Sequence, residues 1–204
     1  MISMPRLYPI ADASCFSNSE ELLSFAEALA AAGCTLLQYR NKVGGSRQML
    51  HQAERLKQRM APSLKLIMND RADLCIAAGF DGVHLGQEDL SAEDARRLIG
   101  SQRCIGVSTH NPKQLAEAEQ TSADYLAIGP VFSTSSKERP DPIVGLQGVR
   151  QARQFTRKPL VAIGGITLQN CRAVLDAGAD SVAVISALVT EPRKSAEDFF
   201  RILG

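Results

Sequence analysis

The fold this sequence predicts is a (β/α)8 barrel in one domain, residues 1–204, and three observations predict it. Short apolar runs of strand length alternate along the chain with amphipathic stretches of helical period. A repeated segment, AAGCTLLQY from Ala31, AAGFDGVHL from Ala77, TSADYLAIG from Thr121 and DAGADSVAV from Asp176, places a helix exit before an apolar strand at every second unit. The chain leaves about 25 residues per βα unit, near the lower limit of an eight-unit barrel, whereas a flavodoxin-like open sheet, the second choice, usually has fewer strands.

The strand candidates run in order Leu7 to Ala11, Thr35 to Arg40, Lys65 to Asn69, Gly82 to Leu85, Cys104 to Ser108, Tyr125 to Gly129, Leu160 to Gly164 and Ser181 to Ile185. Helical stretches lie between them, among them Ser19 to Ala32, Ser46 to Met60, Pro112 to Thr121 and Thr167 to Ala177, each ending near a glycine or small polar residue able to cap it. Asn111 followed by Pro112 is a helix N-cap and first helical residue.

Composition narrows the function classes. Lys and Arg number 23 against 22 Asp and Glu, a net charge of +1, which predicts neither a nucleic-acid footprint nor a polybasic membrane surface. The five cysteines are odd in number and scattered, with no C-x-x-C pair, so they are expected to be reduced, mostly buried thiols rather than a disulfide framework or zinc site. Met1 to Phe16 carries no basic head with a sustained apolar run, and no segment reaches the ~18 apolar residues of a membrane span. These features predict a cytoplasmic protein and leave self-association open.

A barrel of this kind carries its chemistry at the C-terminal ends of its strands, and these endings are polar. The second strand finishes Gln38-Tyr39-Arg40-Asn41-Lys42, where a period of two puts Gln38, Arg40 and Lys42 on one face, an arrangement suited to an anion. The third ends Asn69-Asp70, where either residue is equally well read as a helix cap. The fourth leads to Asp89, a second carboxylate, where a helix cap is possible for Ser91 or for Asp89 itself. Two carboxylates near cations suit a magnesium ion, which keeps several waters and takes one or two carboxylates plus phosphate oxygens, so the anion reads as a diphosphate.

Ser108 ends the fifth strand facing the mouth. The long stretch after the sixth strand reads as a binding loop, with Thr134, Ser136 and Lys137 offering hydroxyls and a cation to phosphate. After the last two strands, Gly164-Gly165 and Ile185-Ser186 occupy the place where this fold often builds a backbone phosphate cradle. A tight turn at Gly164 and a helix cap at Ser186 are the plain structural alternatives.

Taken together, Gln-x-Arg-x-Lys at Gln38, Asn69-Asp70, the Gly-Gln-x-Asp ending at Asp89, Ser108, Thr-x-Ser-Lys at Thr134, Gly164-Gly165 and Ile185-Ser186 resemble the thiamine phosphate synthase family from Tyr8 to about Leu188. The resemblance implies that Gln38, Arg40, Lys42, Asn69, Ser108 and Lys137 hold a pyrimidine diphosphate, with Arg40, Lys42, Ser108 and Lys137 acting in catalysis. It implies Asp70 and Asp89 as ligands of one Mg2+ per subunit, and Thr134, Ser136, Gly165, Ile185 and Ser186 as the receiving site for a thiazole phosphate. In the implied chemistry diphosphate leaves first and the thiazole nitrogen captures a pyrimidine methyl cation, without a protein nucleophile or general base. Ser136 departs from the Thr of many relatives but keeps the hydroxyl. The alternatives are a thiazole tautomerase-like paralogue, for which His110 is the one placed histidine although it reads as a surface residue at a helix start, and a non-catalytic barrel that binds thiazole phosphate or thiamine phosphate.

Overall fold

A computed structural model describes residues 4–134 and 141–204. Its first half runs β1 (Leu7–Asp12), α1 (Ser19–Ala31), β2 (Leu36–Arg40), α2 (Ser46–Met60), β3 (Lys65–Asn69), α3 (Ala72–Ala77), β4 (Gly82–Leu85) and α4 (Ala92–Ile99). The second half continues β5 (Cys104–Thr109), α5 (Pro112–Glu119), β6 (Tyr125–Ile128), α6 (Gly145–Phe155), β7 (Leu160–Ile163), α7 (Cys171–Asp176), β8 (Ser181–Val184) and α8 (Pro192–Leu203). Every strand pairs in parallel with its sequence neighbours, and β8 returns to β1, closing a (β/α)8 barrel.

All eight expected strands are present, with ends shifted by a residue in several. Their apolar runs are continuous because both faces are buried. One face packs inside the barrel, where Tyr8, Ile10, Leu36, Ile67, Tyr125 and Val161 meet. The other packs under the helices, where Leu7, Leu37, Leu66, Val83, Leu126 and Val182 join the larger core. Four of the cysteines are buried and Cys15 is exposed, all of them free thiols.

Local capping sets the helix starts. Asn111 accepts the Gln114 N–H at 3.0 Å with Pro112 leading α5, as its sequence suggests. Ser91 accepts the Asp94 N–H at 3.0 Å and is the cap of α4. The helix expected from Thr167 starts only at Cys171, because Asn170 bonds back to the Thr167 N–H and the Gly165 carbonyl and holds the intervening residues in a turn.

The repeat conceals a fastening device at the barrel's N-terminal end. Asp81, Asp124 and Asp180, each just before an even-numbered strand, accept the backbone N–H groups of Leu66, Ile105 and Leu160 at 3.0, 2.7 and 2.7 Å. Each carboxylate also pairs with a cation: Lys57 at 2.9 Å, Arg96 at 2.6 Å and Arg153 at 2.7 Å. Side chains thus satisfy strand N–H groups at the end away from the chemistry.

Candidate active site

The barrel mouth gathers the polar strand endings. Arg40, the last residue of β2, pairs with the buried carboxylate of Asp12 at the end of β1, which also accepts the Ser14 N–H at 3.1 Å. Asp12 escaped the sequence reading because the first strand was ended one residue too early, at Ala11. The pair with Asp12 engages one nitrogen of the Arg40 fork, whose five N–H groups give it donors to spare for a ligand.

Lys42 lies beyond the end of β2 rather than on its pleat, so the expected strand register of Gln38, Arg40 and Lys42 holds only for the first two. The chain turns after Arg40 because Asn41 accepts the Val43 and Gly44 N–H groups. Lys42 nevertheless reaches Asp70 and forms an ion pair with it. Asp70 has φ +64°, left-handed backbone that is uncommon outside glycine, and its N–H donates to the His84 carbonyl at 2.8 Å.

Neither Asn69 nor Asp70 caps a helix: the capping position of α3 is Arg71, which makes no side-chain cap bond. Asp89 is not a cap either, and its Oδ2 accepts the Gly86 N–H at 2.7 Å. Burial, and further the neighbouring Asp70 carboxylate, push the Asp89 carboxyl above the usual carboxylate range. The Asn69 amide nitrogen is buried and has no hydrogen-bond partner among the described residues. An orphaned donor beside two crowded carboxylates and two cations is an arrangement that a bound anion and a divalent cation would complete. Among the described residues no group of three or more His, Cys, Asp or Glu side chains is placed to hold a metal ion by itself.

Gln38 is buried below this rim, inside the barrel, and donates to the Tyr8 hydroxyl at 3.0 Å. The Tyr8 and Tyr125 hydroxyls lie 3.0 Å apart, Tyr125 meets His84 Nδ1 at 2.9 Å, and His84 Nε2 meets Ser108 Oγ at 2.8 Å. Burial holds the His84 imidazole down to about 4, keeping it neutral near pH 7. Tyr8, His84 and Tyr125 lay hidden inside apolar runs, where a single polar tip does not disturb the strand pattern.

On the opposite side, the loop after β6 is stitched to the end of β7: the Val131 N–H donates to the Ile163 carbonyl at 2.9 Å and the Phe132 N–H to that of Gly164 at 3.0 Å. Gly165, at φ +62°, lies so close to this loop that a Cβ would sit 2.4 Å from the Ser133 carbonyl oxygen. Its lack of a side chain is therefore required by packing as well as open to a ligand. Thr134 is half-buried in the same loop, Ile185 is half-buried, and exposed Ser186 starts a short 3-10 turn without a side-chain cap bond. Ser136 and Lys137 lie outside the described residues.

His110 is not a surface residue. Its side chain is 15% exposed, with Nδ1 2.6 Å from the Gly129 carbonyl oxygen and 3.5 Å from the Asp141 carboxylate, because the β5 end folds against the loop after β6.

A closed parallel barrel with a cationic, carboxylate-bearing mouth at its strand C-terminal ends defines a (β/α)8-barrel enzyme. A family model described as thiamine monophosphate synthase matches residues 7–188. The chain belongs to the thiamine-phosphate synthase family and is a transferase of that kind. It is 56% identical to the thiamine-phosphate synthase of Koribacter versatilis over 99% of this chain and 97% of that one. It is 40% identical to the thiamine-phosphate synthase of Chlorobium phaeovibrioides over 96% of each. The solved thiamine phosphate pyrophosphorylase of Pyrococcus furiosus superposes with a TM-score of 0.85 at 35% identity, covering 97% of this chain and 95% of its own.

Proposed function

We propose that this mouth condenses a pyrimidine methyl diphosphate with a thiazole phosphate, giving thiamine phosphate and free diphosphate. The observation that carries the reading is the cluster of Lys42, Asp70 and Asp89 beside Arg40 and the orphaned Asn69 amide. Arg40 and Lys42 hold the diphosphate and offset the charge that grows on it as its C–O bond breaks and the electron pair departs with it. Asn69 and Ser108 donate hydrogen bonds to the same substrate, Gln38 lines the pocket beneath it, and Lys137, outside the described residues, is assigned to it by the family resemblance. Asp70 and Asp89 would hold one magnesium ion, which when bound supplies further charge neutralisation for the leaving group.

The resulting pyrimidine methyl cation is captured by the lone pair of the thiazole nitrogen, so no protein base is needed. Thr134, Ser136, Gly165, Ile185 and Ser186 receive the thiazole phosphate on the β6, β7 and β8 side, where backbone N–H groups suit a phosphate. The reaction takes place in the cytoplasm; no helix among the described residues is long and apolar enough to cross a membrane. The deciding assay is thiamine phosphate formation by purified protein with both substrates, with magnesium and with a chelator. Product that depends on magnesium is expected, and no product at saturating substrates would refute the reading.

A further inference from the structure

The middle of this barrel is occupied by a hydrogen-bonded line of side chains where branched aliphatic layers are usual. Four contacts of 3.0, 3.0, 2.9 and 2.8 Å link Gln38, Tyr8, Tyr125, His84 and Ser108 in that order, from one wall of the barrel to the other. The contributing strands are β2, β1, β6, β4 and β5, so only closure of the barrel makes the line. Its members are held: the Tyr8 and Tyr125 rings meet edge to face, and Gly106 leaves the space that the Tyr125 ring fills, since a Cβ there would sit 2.0 Å from that ring.

Such a line has a direction, because each hydroxyl carries one proton. Gln38 presents its amide nitrogen, a donor, to the Tyr8 oxygen. A buried hydroxyl proton needs an acceptor, and the contacts open to these two, among the described residues, are Tyr125 for the Tyr8 proton and His84 Nδ1 for the Tyr125 proton, so Tyr8 donates to Tyr125 and Tyr125 to His84. With Nδ1 accepting, the imidazole carries its proton on Nε2 and donates it to Ser108 Oγ. An imidazole protonated on both nitrogens would leave one buried phenol proton of the line without an acceptor, so full pairing favours the neutral ring. At the far end of the line the Ser108 hydroxyl, accepting from His84, keeps its own proton for a further acceptor. The Ser108 carbonyl, which accepts from the Gln87 amide at 2.6 Å, steadies the residue's backbone.

We propose that Tyr8, Tyr125 and His84 are positioning residues that fix the Ser108 hydroxyl as a hydrogen-bond donor toward the pyrimidine diphosphate substrate, with Gln38 setting the direction of the line. The proposal rests on the assignment of Ser108 to that substrate. Fixing the proton beforehand removes a rotational choice that a free serine hydroxyl would have to make as charge develops on the departing diphosphate.

Two measurements test this. Nitrogen NMR of His84 in the ligand-free protein at neutral pH is expected to show the proton on Nε2 and a bare Nδ1, and a mixture of tautomers in Tyr125→Phe. In steady-state kinetics Tyr125→Phe, which preserves ring volume, is expected to lower kcat about tenfold with little change in the KM for the diphosphate substrate. The double variant Tyr125→Phe/Ser108→Ala is expected to be no slower than Ser108→Ala alone, since one acts through the other. A proton on Nδ1, a fully active Ser108→Ala, or losses that multiply in the double variant would each overturn the proposal. A wild-type protein with the Nε2–H tautomer and no condensation activity would instead count against the proposed function, leaving the hydrogen-bonded line intact.

Discussion

The hydroxyl groups of Tyr8 and Tyr125 meet at 3.0 Å inside the barrel, their ring planes at 77°. The two residues are 117 positions apart, and burial pushes both phenols above their usual range, so both keep their protons. Their meeting depends on Gly106, whose neighbour across the β5–β6 pairing is Tyr125.

Gly106→Ala is therefore expected to be costly. The added methyl would lie 2.0 Å from the Tyr125 ring, in an interior with no room to yield, and overpacking of this kind costs about 1–3 kcal/mol or more. The melting temperature should fall and condensation activity with it. Adding Tyr125→Leu should recover the melting temperature but not the activity, a pattern read by thermal denaturation and kinetics side by side.

Acid should weaken the fold through His84. Its imidazole is held to about 4 against an ordinary value of 6.5, first by burial, with the Asp70 carboxylate opposing. The unfolded chain thus binds a proton there that the folded chain does not, and stability falls as pH drops from about 6.5 through about 4. The full loss from this residue is about 3 kcal/mol. His84→Gln should flatten the acid side of the stability curve relative to wild type; parallel curves would contradict the assignment.

Asp89 should act in the opposite sense. Its carboxyl is raised by burial and by Asp70, so the folded state binds the extra proton, and ionisation costs stability as pH climbs through and above the usual carboxylate range. In chelator at neutral pH, Asp89→Asn should raise the melting temperature by about 2 °C, since the amide oxygen can still accept the Gly86 N–H. Magnesium should then stabilise the wild type and not the variant, and activity should be lost. A variant that melts below wild type in chelator would be evidence against carboxylate crowding.

At the other end of the barrel, Asp124→Ala removes the acceptor for the Ile105 N–H and the partner of Arg96. A loss of about 1–3 kcal/mol is expected from the unpaired groups. The kcat of the remaining folded protein should be unchanged, because the chemistry lies at the opposite end. A kcat that falls along with stability would show coupling between the two ends.

Much of the candidate site was legible as individual residues. Arg40, Lys42, Asn69, Asp70 and Asp89 stand out because charged or amide side chains gather just past the apolar runs of neighbouring strands, although Asn69 and Asp70 read as well as helix caps. The aspartates Asp81, Asp124 and Asp180 were visible too, at equivalent places in the repeat, but an acidic residue before a strand has no evident partner until the preceding odd strand lies beside it. Asp12 was hidden by a one-residue error in a strand end, and His110 by the assumption that a helix start is exposed.

What the sequence by itself determined was the alternation of eight strands with helices, because hydrophobic period and capping residues act over a few neighbours. What only the tertiary structure decided was which polar groups share the barrel's interior. Tyr8, Gln38, His84, Ser108 and Tyr125 look like unrelated members of five strands, and it is closure of the sheet, with the stagger between its strands, that brings their side chains within hydrogen-bonding distance. A buried polar group must find a partner, and in a closed barrel that partner comes from whichever strand the closure puts opposite, however distant in the chain.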